Sequence, residues 1–164
     1  MEESPTAGFL PPFITHPQEL KTTYDATTNS FHGTYVSPTP WEPKRYLYVK
    51  DLMDAKRNEG VVRLCFDTVR TRYCAVKCVP KAFVRKAMEG GDVEQPLNDS
   101  GIQRFLTLFA NSRGIARWYD CCEDTHWVYF VSEFAHCGDL LTVSNSFGGL
   151  QESVIKPLAL QVGK

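Results

Sequence analysis

The chain has 164 residues, 43% of them apolar, which is enough for one ordinary domain with a core and a tail. Its 18 Lys and Arg nearly cancel its 19 Asp and Glu, so no field of one sign points to nucleic acid or to a membrane surface, and neither is expected as a partner. No apolar run approaches a membrane span, and the acidic start Met1-Glu2-Glu3-Ser4-Pro5 is unlike a secretion signal, so a cytoplasmic or nuclear protein is expected.

Residues 1–44 read as a disordered or extended N-terminal arm, rich in Pro, Thr and Ser and without a sustained period, whose ordering needs a partner. The steps Ser37-Pro38 and Thr39-Pro40 resemble proline-directed phosphorylation sites, and a plain linker accounts for them as well. Order is expected from Arg45. Tyr46-Leu47-Tyr48-Val49 reads as a strand, residues 50–59 as a charged connection, and residues 60–66 as a second strand with Val62, Leu64 and Phe66 on one face. After a turn at 68–71, a third strand spans 72–79 and is stopped by Pro80.

Residues 81–88 form a short basic helix in this reading, broken by Glu89-Gly90-Gly91-Asp92. Asn98, Asp99 or Ser100 is expected to cap a long helix whose apolar stripe is Ile102, Phe105, Leu106 and Phe109. Strands at 115–122 and 127–133 follow, joined by the turn Glu123-Asp124-Thr125-His126. The expected fold class is therefore α+β, a five-stranded antiparallel sheet with one long helix. Beyond Gly138, residues Ile155, Leu158, Ala159 and Val162 fall at helical spacing near Pro157, a stripe that calls for a partner.

The six cysteines, Cys65, Cys74, Cys78, Cys121, Cys122 and Cys137, lack Cys-x-x-Cys pairs, and the four histidines do not complete a zinc site, so no metal site is expected. Reduced, structural thiols are the reading.

Lys77 stands in the middle of an otherwise apolar strand, on the side of Ala75, with Val62 of the neighbouring strand able to join them. Alone, such a lysine reads as one that snorkels to water from an edge. Ala75-Val76-Lys77, however, resembles the Val-Ala-Ile-Lys motif of protein kinases, whose lysine pairs with the α- and β-phosphates of ATP. Residues 128–141, Val-Tyr-Phe-Val-Ser-Glu-Phe-Ala-His-Cys-Gly-Asp-Leu-Leu, look like the fifth strand, hinge and following helix of that family, and Gly114-Ile115-Ala116-Arg117-Trp118-Tyr119-Asp120 matches the strand before them. The resemblance covers residues 45–164. It implies an N-lobe at 45–134, then a hinge and the truncated start of a C-lobe at 135–164.

The resemblance also implies site residues. Val62 and Ala75 would cover adenine, with Leu52 as the strand-one residue over the ring if the loop is longer than the family's, and Ser132 would be a small gatekeeper that admits bulky adenine analogues. The backbone of Glu133 and Ala135 would bond the adenine edge, and Asp139 would lie near the ribose. Of the glycine-rich loop only Gly60 survives; Lys56 or Arg57 is a candidate cationic substitute for the missing backbone amides, opposed by Glu59, and a plain solvated loop accounts for these charges as well. Counting back from Gly114 puts Gln103, not a glutamate, at the position that pairs with the lysine, with Glu94 or Asp99 as alternatives if the alignment slips. The catalytic His-Arg-Asp and magnesium-binding Asp-Phe-Gly motifs do not occur in this sequence, so the chain is expected to be the inactive ATP-binding portion of a serine/threonine kinase, with magnesium belonging to the complete domain. The expected partners are ATP and a protein substrate. The alternative is a pseudokinase or regulatory scaffold that binds a partner kinase, favoured by the glycine loss and by Gln103.

Overall fold

The computed structural model describes residues 23–25, 27, 30–32, 36–88, 94–109, 114–146 and 148–162. Within the arm, β1 (Thr23–Asp25) and β2 (Ser30–His32) pair as an antiparallel hairpin. The main sheet comprises β3 (Thr39–Pro40), β4 (Tyr46–Ala55), β5 (Gly60–Asp67), β6 (Arg72–Pro80), β7 (Trp118–Glu123) and β8 (Trp127–Glu133), in the order β3-β7-β8-β6-β5-β4. The helices are α1 (Lys81–Met88), α2 (Pro96–Arg104), α3 (Leu140–Ser146) and α4 (Glu152–Val162).

This corrects the expected five-stranded antiparallel sheet with one long helix on two counts. First, the sheet has six strands and is mixed, because β3 joins β7 in parallel register. The cause is local burial within the arm sequence. Val36 and Pro38 are buried, the Thr39 hydroxyl donates to the Cys121 carbonyl at 3.4 Å, and the Trp41 amide donates to the Glu123 carbonyl at 2.8 Å. Trp41 then stacks between Tyr46 and Tyr129, with ring centroids 4.9 and 4.0 Å away. Such aromatic packing adds about 0.5–1.5 kcal/mol per pair beyond burial, which offsets part of the entropy lost on ordering the segment.

Second, the helix is short. It opens with Pro96 at its first position, where a missing N–H costs nothing, rather than at a cap on Asn98, Asp99 or Ser100. After Arg104 it widens into a π turn over Phe105–Phe109, in which the Thr107 hydroxyl donates back to the Gln103 carbonyl at 2.8 Å and accepts from the Trp118 amide at 3.2 Å. The buried face is Leu97, Ser100, Gly101 and Thr107, whereas Ile102, Phe105 and Leu106 are only half-buried. Small and polar residues face inward because Trp118 of β7 fills that space and donates its indole N–H to the Ser100 hydroxyl at 2.9 Å. The side chain of Phe109 lies outside the described residues.

Two cores lie on opposite faces of the sheet. Val79, Cys121 and Val128 pack under Phe83, Val84 and Ala87 of α1 and Leu97 of α2. On the other face Tyr46, Cys65, Cys74, Val76, Cys78, Cys122, Tyr129 and Val131 pack together beneath Trp41. Each fully buried valine contributes about 1.5–3 kcal/mol. Burial pushes the thiols of Cys74, Cys78 and Cys122 up to about 12, so they stay protonated and serve as small apolar groups. Strand β4 runs through most of the expected connection, with irregular steps at Val49 and Leu52, so the turn shortens to Lys56–Asn58 and Glu59. In α3 and α4, Leu140, Leu141, Val154, Ile155 and Leu160 are exposed.

Candidate functional site

Antiparallel register puts directly paired residues on the same face of a sheet. Val62 pairs with Lys77, and Ala75 pairs with Ser132, so all four share the α1 and α2 face, as do Leu64 and Phe130. The structure thereby brings together Val62, Ala75, Lys77 and Ser132. All four are half-buried, which leaves a shallow apolar strip with one cation at its end.

The Lys77 Nζ donates to Glu94 Oε1 at 3.2 Å, and the two side chains are 32% and 34% exposed. Lys77 is thus held by an anion and stays within reach of solvent. Glu94 lies two residues before α2 and comes to β6 because Leu97, fully buried, anchors the helix start against α1 and the sheet. Asp99, a turn further on, has its carboxyl pushed up by burial and by the charge of Glu94, with Lys77 pulling it back. The second oxygen of Glu94 is also engaged: Asn58 of the β4–β5 turn donates its side-chain amide to Oε2 at 2.9 Å.

Gln103 is not brought to Lys77. Its side-chain amide donates to the Ala116 carbonyl at 2.8 Å, which ties α2 to the segment entering β7. Counting residues back from Gly114 misses Glu94 because the helix starts at Pro96 and its pairing residue precedes the helix. Leu52 is the extra residue between the pairs Asp51 with Arg63 and Met53 with Val62, and it is half-buried. Gly60 pairs with Ala55, and a Cβ on Gly60 would collide with the Cys78 carbonyl oxygen, so close passage against β6 requires this glycine.

At the end of β8, the Glu133 amide donates to the Arg117 carbonyl at 2.8 Å, while its carboxylate accepts from the Arg117 amide at 3.1 Å. Ala135 is exposed beyond the strand. The Asp139 carboxylate caps α3 by accepting from the Thr142 amide at 2.6 Å, and that bond holds its carboxyl below the usual range. Asp139 and Lys77 therefore belong to separate local structures. Asn58 is the site residue that sequence reasoning missed; a lone asparagine in a polar turn carries no sequence signal for burial.

Among the described residues, no group of three His, Cys, Asp or Glu side chains could hold a metal ion, and no helix is long and apolar enough to cross a membrane. No protein-family model and no curated protein matches this chain.

Proposed function

We propose that the chain is the ATP-binding portion of a protein serine/threonine kinase, acting in the cytoplasm or nucleus, with Lys77 as the residue that meets the phosphates. The observation that carries this reading is the Lys77 to Glu94 ion pair at 3.2 Å, set at the end of the strip formed by Val62, Ala75 and Ser132. It is a lysine–glutamate pair of the kind the resemblance calls for, made by Glu94, one of the alternatives to Gln103, from two residues before α2 and not from the helix itself.

The residues on this face support a nucleotide reading. An adenine ring needs a thin apolar slot, and Val62, Ala75 and Ser132 are small or branched side chains with surface still open on that face. Glu94 accepts from the ammonium at 3.2 Å and so holds the charge in place for phosphate oxygens. Bound ATP supplies the phosphoryl group and, with magnesium in the complete domain, the means of neutralising it. Transfer itself needs aspartates of the kind found in His-Arg-Asp and Asp-Phe-Gly, motifs that are not in this sequence.

A specific observation favours the scaffold alternative. The turn corresponding to the glycine-rich loop keeps one glycine, Gly60, which packs against Cys78, and is tied down by Asn58 on Glu94. Titration of ATP into the wild-type chain and into Lys77→Met, followed by calorimetry, separates the two readings. Saturable binding that weakens at least about tenfold in the variant, a loss of about 1.4 kcal/mol, supports the nucleotide site; absence of binding, or equal binding by both proteins, favours the scaffold.

A further inference from the structure

Asn58 is 2% exposed although it lies in a polar turn between Arg57 and Glu59, both exposed. Its amide nitrogen faces Glu94 Oε2 at 2.9 Å, while Lys77 holds Oε1 of the same carboxylate. Both carboxylate oxygens are therefore occupied, one by Lys77 of the sheet and one by Asn58 of the β4–β5 turn. We propose that Asn58 is an autoinhibitory latch that holds the β4–β5 turn down on Glu94, beside Lys77. The inference rests on the nucleotide reading of the same face.

The closed turn carries two costs that make it poised to open. The side-chain carbonyl oxygen of Asn58, Oδ1, is buried with no partner among the described residues, so closing strips it of water without replacement. Glu59 takes a left-handed backbone with φ 53°, a conformation unfavourable for a residue with a Cβ. One charge-assisted hydrogen bond opposes both costs. Opening would hydrate the orphaned carbonyl, let Glu59 relax, and free Lys56 and Arg57 of the turn to join Lys77 at the phosphate oxygens. A phosphate competing for Lys77 weakens the hold of Lys77 on Glu94, and so acts on the element that the latch grips.

The test uses the full chain and ATP as probe. In Asn58→Ala the latch is absent, and ATP is expected to bind about tenfold tighter than to the wild type, with faster amide hydrogen exchange at residues 56–60 before ATP is added. Asn58→Asp sets a carboxylate against Glu94 and is expected to speed exchange of the same turn, which provides a second variant should the first lose stability in a melting scan. Equal or weaker ATP binding by a folded Asn58→Ala overturns the latch and leaves the nucleotide reading standing, and unchanged exchange at 56–60 in both variants overturns it independently of any ligand. Failure of the wild type and both variants to bind ATP at millimolar concentration, with faster exchange in the variants, overturns the nucleotide reading and the gating role together.

Discussion

Tyr46 donates its hydroxyl to the Asp120 carboxylate at 3.0 Å, although Tyr46 opens β4 at one edge of the sheet and β7 lies four strands away. In a flat sheet that separation would be about 19 Å, four spacings of about 4.8 Å. The sheet therefore curls until its two sides meet, and Arg45 fastens the closure by reaching Asp120 at 3.1 Å and Asp67 at 3.3 Å. The curl encloses the core of Tyr46, Cys74, Val76 and Val131 and leaves Val62, Ala75, Lys77 and Ser132 on the outer face, beside α1 and α2.

This closure makes stability acid-sensitive. Burial pushes the Asp67 carboxyl up, but hydrogen bonds from the Arg70 and Arg45 side chains and from the amides of Arg70 and Val69 outweigh it, so the carboxyl sits below its ordinary value. A carboxyl depressed in the folded state takes up protons less readily than in the unfolded chain, so its contribution is fully present above the unfolded value of about 3.9 and is lost as pH falls through the folded value. Urea midpoints measured from pH 6 down to about pH 2 should fall below about pH 4. In Asp67→Asn the midpoint should be lower at neutral pH and should depend less on acid; an unchanged acid slope would remove Asp67 from this role.

A second ion pair is buried outright. Lys81 Nζ and Glu123 Oε2 are 2.7 Å apart, with side chains 6% and 0% exposed, and the pair ties the start of α1 to the end of β7. Removing one partner strands the other charge, so Lys81→Met should cost about 3–5 kcal/mol. Replacing both, as Lys81→Met with Glu123→Leu, should recover much of that loss, because well-packed apolar residues often match a buried pair. Chemical denaturation of the single and double variants checks this, and additive losses would contradict it.

Gly60 offers a separation of packing from ligand binding. A methyl group there meets the Cys78 carbonyl, so Gly60→Ala must shift β5 away from β6, at a cost of about 1–3 kcal/mol. The expected result is a lower melting temperature by the same amount with and without ATP. A variant of unchanged stability that binds ATP poorly would mean that Gly60 serves the phosphates directly.

Much of the sheet was legible because its strands alternate cleanly: α1 was read at its observed bounds, β8 at its own, and the shared face of Val62, Ala75 and Lys77 followed from period two. The sixth strand was not, since Thr39-Pro40 has the composition of a linker and becomes a strand only because Val36, Pro38 and Trp41 find the sheet. The long helix failed for the opposite reason. Its apolar stripe at Ile102, Phe105 and Leu106 was evident, but the indole of Trp118 selected Ser100 and Gly101 as the inward face, a tertiary choice that periodicity does not encode. Glu94 meets Lys77, and Asn58 meets Glu94, through contacts between segments far apart in the chain, which sequence spacing reaches least well.

The most direct test of the nucleotide reading is amide hydrogen exchange of the wild-type chain with and without ATP. The account predicts added protection along residues 60–64, 74–78 and 130–135, with little change around Asp67, Asp120 and Trp41. Protection confined to other segments, or none at saturating ATP, would contradict it.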